Sequence, residues 1–458
     1  TYLGMTMTFG KVPLITEVLD YNSPNIPRDE VSVIRDFIMK ELTEAAAILP
    51  EKYTGGYPNE KGRITKYACL SLKARAALYF GDYALAETTA KEVMDKGGFS
   101  LFKISSLSEA QKKEAEEMSL YIDFEEKGID KDEFIKGMFN YEALWHTENA
   151  NPDNPEYIMT RQYAASSWDY QDMTRYTSMR PNQLGGWSSV TPTQNLVDAY
   201  WGVDGHSVPQ LPTPEERAKA YNEIKADLDA YQKPEGEAKF IAFCQEKIKN
   251  GTLKDYKYIQ EFRNRDSRMY VSILMPFKSW YESNYGDKFV YEWIKNGNNE
   301  SKTGFNFRKM LSLENDANGD GQATGDYPCI RYAEILLIYA EAHTQTTGYD
   351  AATEAALNQL RDRCGMPDVP SGLSKEEGLK LIQNERRIEL AGEGFRGDDM
   401  TRYSDGYWKE HMNNVPIMTP DGDTELTMKW SSRMRLKPIP QTAIDLNPLL
   451  AGDQNPGY

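Results

Sequence analysis

Two stretches set flat aromatic rings among hydrogen-bonding side chains at close spacing. The first is Trp168-Asp169-Tyr170-Gln171-Asp172 with Arg175 and Tyr176. The second is Trp280-Tyr281-Glu282-Ser283-Asn284-Tyr285 with Tyr291 and Trp293. A saccharide presents apolar C–H faces and equatorial hydroxyls. A site for it therefore needs flat rings flanked by Asn, Asp, Gln or Arg, and needs no metal or nucleophile. The same rings also serve as core or interface residues, and spacing alone leaves that choice open. On the saccharide reading the contact residues are Trp168, Tyr170, Arg175, Trp280, Tyr281, Asn284, Tyr285 and Trp293.

A second pattern is DANGDG, from Asp316 to Gly321. Asp316, Asn318 and Asp320 occupy the first three oxygen-ligand positions of a calcium loop, Gly321 the turn position, and Gln322 offers its carbonyl. The twelfth place holds Tyr327 where a bidentate Glu is expected, with Asp326 one short. The expectation is a surface loop that takes calcium on Asp316, Asn318, Asp320 and Gln322, against a plain Asn/Gly turn leading into a helix. No other cofactor is called for.

Catalysis finds little support. His146, His206, His343 and His411 stand in no spacing that makes a triad or an HExxH site, and His343 falls inside a helical pattern where packing is its expected role. Acid pairs such as Asp398-Asp399 are common in a chain of net charge −17 and carry no weight for glycoside hydrolysis. The most charged stretch, NERRIELAGEGFRGDDMTRY (384–403), mixes a helix pattern with alternating charge. Glu385, Arg386, Glu389, Glu393, Arg396, Asp399 and Arg402 read as a paired network that fixes the last helical unit, not as acid/base groups.

The elements that must position these residues are mostly helices. Pro27 and Asp29 open a helical pattern that runs to Pro50. ITKYACLSLKARAALYFGDYALAETTAKEVMDKGGF reads as two helices broken at Gly81-Asp82. Its Leu70, Ala74, Tyr83, Ala86 and Ala90 return as Leu336, Ala340, Tyr349, Ala352 and Ala356, an internal repeat. Small residues let antiparallel helices approach closely, and a Tyr at the second helix's start fills the wedge between them, a layout similar to the tetratricopeptide unit. Arg28 to Pro50 and Lys375 to Gly392 then supply further helices of the same kind. Leu107 to Glu133 is acidic and reads as a solvated face. Residues 138–205 are irregular and aromatic, 214–250 helical, and Met269 to Met275 a short strand.

Composition narrows the partners. With 53 Lys+Arg against 70 Asp+Glu and no basic run, nucleic acid and anionic membrane surfaces are poor fits, and uncharged polar ligands are better ones. Cys69, Cys244, Cys329 and Cys364 form no CxxC pair, so neither a zinc site nor a redox motif is supported. No stretch reaches the ~20 apolar residues of a membrane helix. The opening residues Tyr2 to Phe9 look like the end of a helix, and an N-terminal portion is expected before them.

Taken in order, FGKVPLITE, GGWSSVTPTQNLVDAYWGVDG, NRDSRMYVSIL, TGFNFRKM, YPCIRYAEILLIYAEA, LNQLRDRCGM, NERRIELAGEGFRGDDMTRY and LKPIPQTAIDLNPLL with QNPGY resemble the SusD/RagB family of Bacteroidetes surface lipoproteins. The resemblance runs nearly end to end. It implies a mainly α fold, a tetratricopeptide-like helical-repeat scaffold with an irregular, loop-rich insert and few short strands. The expected layout is a single body, with repeat units at about 1–103 and 327–403 and a ligand-facing insert at about 138–310. The resemblance also implies a non-enzymatic glycan-binding role at the extracellular face of the outer membrane, a lipid anchor, and a SusC-like TonB-dependent transporter as partner. A peptide-capturing RagB-type binder, or a transporter lid or scaffold with no ligand of its own, are the alternatives. Trp187, inside the matching GGWSSVTP segment, is expected to be structural.

Overall fold

The computed structural model describes residues 1–20, 23–53, 62–146, 148–163, 179–281, 289–311 and 325–458. The chain divides into two compact units, one of Thr1–Gly98, Glu393–Val415 and Met428–Tyr458, the other of Phe99–Gly392 and Pro416–Thr427.

In the first unit the expected helix pair forms as Lys66–Tyr79 and Tyr83–Lys96. Thr65 and Asp82 start the two helices, their side chains accepting from the Ala68 and Leu85 N–H groups that a helix start leaves unpaired. Ala74, Ala86 and Ala90 are fully buried, and only side chains this small let two helices meet so closely. Val31–Ile48 packs on the Lys66–Tyr79 helix and buries Ile34 and Ile38 together with Ala76 and Val12. The C-terminal end closes onto this group: Arg28 donates to Asn455 Oδ1 at 2.9 Å, and the Lys437 N–H reaches the Thr8 carbonyl at 2.8 Å.

The second unit carries the other copy of the repeat, Tyr332–Thr346 and Ala351–Arg363, followed by Lys375–Glu389, which packs on Tyr332–Thr346. The copies differ at one point. Tyr83 is the first residue of its helix, whereas Tyr349 precedes the cap Asp350, whose carboxylate accepts from Ala352 and Thr353. His343 stacks on Tyr339 and leans on Asp350 at 3.1 Å, so it is the packing histidine expected from sequence. Tyr349 wedges against the next helix: a Cβ on Gly378 would lie 2.4 Å from its ring.

Among the described residues every sheet is two-stranded. Tyr157–Arg161 pairs antiparallel with Tyr327–Arg331, Ile273–Leu274 with Asn306–Phe307, and Ser279–Trp280 with Phe289–Val290. The strand expected over Met269 to Met275 is mostly helix, Ser267–Ser272, and only its end is extended. The physical reason is that both faces of this segment are buried, so apolar alternation is no guide, and the Asp266 carboxylate caps the Arg268 N–H to start a helix. The acidic stretch 107–133 also departs from a solvated face: Glu114 is buried, as are Gln111, Met118 and Leu120 to Ile122.

Candidate functional site

In the second unit, the described ends of the two aromatic-rich segments are fastened together. Pro181 is followed by a single turn of 3-10 helix, Asn182–Leu184, closed by Gly185 at φ 80°. From this turn the Gln183 amide donates to the Val290 carbonyl at 3.0 Å and accepts from the Glu292 N–H at 3.0 Å. One side chain thus joins the segment after residue 178 to the strand after residue 288. Further on, the Thr303 hydroxyl donates to the Pro192 carbonyl at 2.6 Å. Within the loop, the Arg180 carbonyl accepts from the Ser188 N–H at 3.0 Å, and Ser188 is held at φ 47°. Gly186 leaves no room for a side chain, since a Cβ there would stand 2.2 Å from the Arg180 carbonyl oxygen. Trp187, between these two residues, is 55% exposed, and Val190 is exposed as well. The structural role expected for Trp187 is therefore corrected: its ring faces solvent, and the backbone around it is what is fixed.

The aromatic residues expected to form platforms divide differently. Trp168, Tyr170, Arg175, Asn284 and Tyr285 lie outside the described residues. Trp280 is 1% exposed. Its ring lies under the Arg308 guanidinium at 4.9 Å and meets Phe289 edge-on. Trp293 is also buried, donating its indole N–H to the Ser301 carbonyl at 2.9 Å and packing edge-on against Tyr221. Neither ring offers a face to a sugar, because both are packed into the core, Trp280 on the short antiparallel pair of Ser279–Trp280 with Phe289–Val290 and Trp293 beyond it. Tyr291 is likewise buried, its hydroxyl accepting from Asn306. Tyr281 is half-buried and donates its hydroxyl to Glu117. Burial and the Glu117 carboxylate both raise its pKa, so it remains a neutral donor.

A buried charge network in the same unit is centred on the Lys375–Glu389 helix. Glu385 receives Arg268 at 2.7 Å, Arg361 at 2.6 Å and the Trp201 indole N–H at 3.1 Å. Glu389 receives Arg268 at 3.0 Å, Arg331 at 2.8 Å, and Arg363. Glu156 bridges Arg331 and Arg363 at 2.8 and 3.1 Å, and Asp266 clamps Arg268 at 2.8 Å. Four arginines thus meet four carboxylates, all essentially without solvent contact. Burial alone would push the Glu385 carboxyl up, but Arg268 and Arg361 bring it down to about 2. Glu389 is depressed further by Arg363, Arg331 and Arg268. Lys309 caps the same helix, donating to the Glu389 and Ala391 carbonyls at 3.0 and 2.9 Å.

A second buried cluster supports the hairpin. Glu114 takes Arg308 at 2.6 Å and Lys278 at 2.5 Å, and Arg308 also holds Glu142. Burial opposes the Glu114 charge, yet the two cations bring its carboxyl down to about 2.

These groups are structural in their geometry. Each of these carboxylates is held by at least one buried cation. The expectation of a network around Glu385 and Glu389 therefore stands, although their partners come from other segments and not from Arg386 or Arg387 on the same helix. In the first unit, Asp399 pairs with Arg402 at 3.0 Å and Arg396 donates to the Tyr407 hydroxyl. Sequence reading missed Arg268, Arg308, Arg331 and Gln183 as organising residues. The arginines did carry a signal: each interrupts a run otherwise fit for burial, as in SRMYVSIL and CIRYAEILLIYA. Asp316, Asn318, Asp320 and Gln322 of the calcium expectation lie outside the described residues.

Comparison with known proteins agrees with this architecture. A family model described as the SusD family matches residues 155–458. One SusD-like protein of Formosa agariphila is 29% identical over 148 residues, 31% of this chain and 28% of its own length. A second from that organism is 23% identical over 427 residues, 88% of this chain and 63% of its own. The chain thus spans less than two thirds of either curated relative. Among solved structures, a SusD-like protein from Bacteroides fragilis superposes with a TM-score of 0.70 at 24% identity, covering 100% of this chain and 77% of that one. A SusD-like carbohydrate binding protein from the same organism gives 0.65 at 20% identity, covering 98% and 77%. A chain solved with a xylogluco-oligosaccharide gives 0.60 at 16% identity, covering 98% and 78%. At these identities the structural likeness carries the mainly helical fold.

Proposed function

The chain belongs to the SusD family, and on that premise we propose that it is a binding protein that captures an oligosaccharide at the extracellular face of the outer membrane, held there by a lipid anchor. It passes the ligand unaltered to a SusC-like TonB-dependent transporter. The observation that carries the reading is the Gln183 clamp, which brings the stems of both aromatic-rich segments to one place. A sugar chain bound there would use stacking for its C–H faces and neutral donors for its hydroxyls. Support also comes from relatives of this fold, one described as a carbohydrate binding protein and one solved with a xylogluco-oligosaccharide.

Affinity electrophoresis and calorimetry against a panel of neutral polysaccharides and a panel of peptides test this directly. Saturable binding to at least one glycan, with no reducing ends released, is the expected result. Binding to peptides alone would replace the saccharide reading with a peptide-capturing one. Complex formation with the transporter that survives loss of every exposed aromatic, without glycan binding, would leave only a lid or scaffold role.

A further inference from the structure

We propose that Trp187 is the stacking platform of a subsite for a neutral sugar ring, held in position by its loop before any ligand arrives. The inference rests on the saccharide reading above and deepens it, since it names a contact residue on the described part of the face.

An indole is the largest apolar surface a side chain offers, and leaving it in water forfeits burial energy. Here the chain keeps 55% of it exposed, on a loop whose backbone has little freedom to turn it inward. Gly186 on one side can carry no side chain, and Ser188 on the other is held at a left-handed φ of 47° by its N–H bond to Arg180. Gln183 ties the start of the loop to Val290 and Glu292, and Thr303 ties its end at Pro192. A ring fixed this way pays little ordering cost when it meets a ligand.

Charge selects the kind of ligand. The whole chain is 27% charged, yet residues 181–197, PNQLGGWSSVTPTQNLV, contain no Asp, Glu, Lys or Arg. Asn182, Ser189 and Thr191, neutral hydrogen-bonding residues close to the ring in sequence, are exposed or half-buried. A charged peptide or an acidic polymer finds no counter-charge on this segment. A neutral sugar finds the flat ring and the amide and hydroxyl groups that its two kinds of surface require. A folded protein partner would need about 800 Å² on each side, more than one ring and its neighbours on a single loop supply.

The test uses Trp187→Ala and Trp187→Phe in the full chain, with xyloglucan, amylopectin, galactomannan and arabinoxylan as probes in calorimetry and affinity gels. The melting temperature checks that each variant is folded. Trp187→Ala should weaken whichever glycan the parent binds by about tenfold or more, and Trp187→Phe should keep it within about threefold of the parent. If Trp187→Ala binds as the parent does, the platform is refuted while the saccharide reading stands. If the parent binds none of these glycans, both fall together.

Discussion

At the scale of single residues, ring type says less than ring environment. Trp280 and Trp187 are the same side chain in neighbouring parts of one unit, yet one lies under a guanidinium in the core and the other stands in water. Trp280→Ala should therefore act as a cavity mutation, costing about 3–5 kcal/mol in urea unfolding, with any loss of affinity following from loss of fold. Glu389 is a second case. Converting it to Gln leaves Arg268, Arg331 and Arg363 short of a counter-charge, and breaking a buried pair costs about 3–5 kcal/mol. The pH dependence has a definite sign. Glu385 and Glu389 titrate lower in the folded chain than in the unfolded one, so their contribution is complete above about pH 5 and is lost as pH falls toward 2. For Glu385 alone the depression to about 2 is worth roughly 3 kcal/mol. Urea midpoints should hold from about pH 6 to about pH 5 and then fall down to about pH 3, and a flat profile below about pH 5 would contradict the network as described.

At the scale of elements, what the sequence made legible was periodic and what it hid was not. The repeat announced both helix pairs, because Leu70, Ala74, Ala86 and Ala90 are buried at the spacing that one helix face imposes. The two-residue strands at 279–280, 289–290 and 306–307 left no trace, and the one at 273–274 was read only as part of a longer strand, since a pattern of period two needs more residues than these have. The link between the described ends of the two aromatic-rich segments was not legible, because a single amide at Gln183 makes it and no spacing rule marks it. Close crossings are equally silent in sequence. Gly137, inside the Lys131–Ala143 helix, has the Gly365 nitrogen 2.1 Å from where a Cβ would sit. Gly137→Ala should thus lower stability by about 1–3 kcal/mol, despite the better helix propensity of Ala, and calorimetric melting reads the difference. For the loop from Asp316 to Gly321 we propose calcium binding on Asp316, Asn318, Asp320 and Gln322. Millimolar calcium should then raise the melting temperature over chelator, and Asp316→Ala together with Asp320→Ala should abolish that shift.

At the scale of the whole molecule, the net charge of −17 makes ionic strength a discriminating variable. Capture of a neutral glycan by stacking and hydrogen bonds should change less than about twofold between roughly 0.05 and 0.5 M salt, whereas an anionic glycan repelled by the chain should bind more tightly as salt screens it. Calorimetry across that range separates the two. The family and its mainly helical architecture were legible, since segments such as NERRIELAGEGFRGDDMTRY carry the resemblance in order along the chain. The ligand was not, because rings set among polar and charged groups, as in the stretches 168–176 and 280–285, suit more than one kind of ligand. The charge network has one more consequence, and it concerns the order of events when the chain is made. Glu156 and Asp266 come early and meet Arg331, Arg363 and Arg268, but Glu385 and Glu389 are synthesised last, so on a growing chain the four guanidinium groups have only two carboxylates among them and Arg361 has none. Until those acids emerge, closing the core would strand uncompensated charge in a dry interior. The second unit is thereby barred from folding early and incompletely: a chain stopped before Asn384 should stay open to protease, and one extended past Ala391 should become resistant.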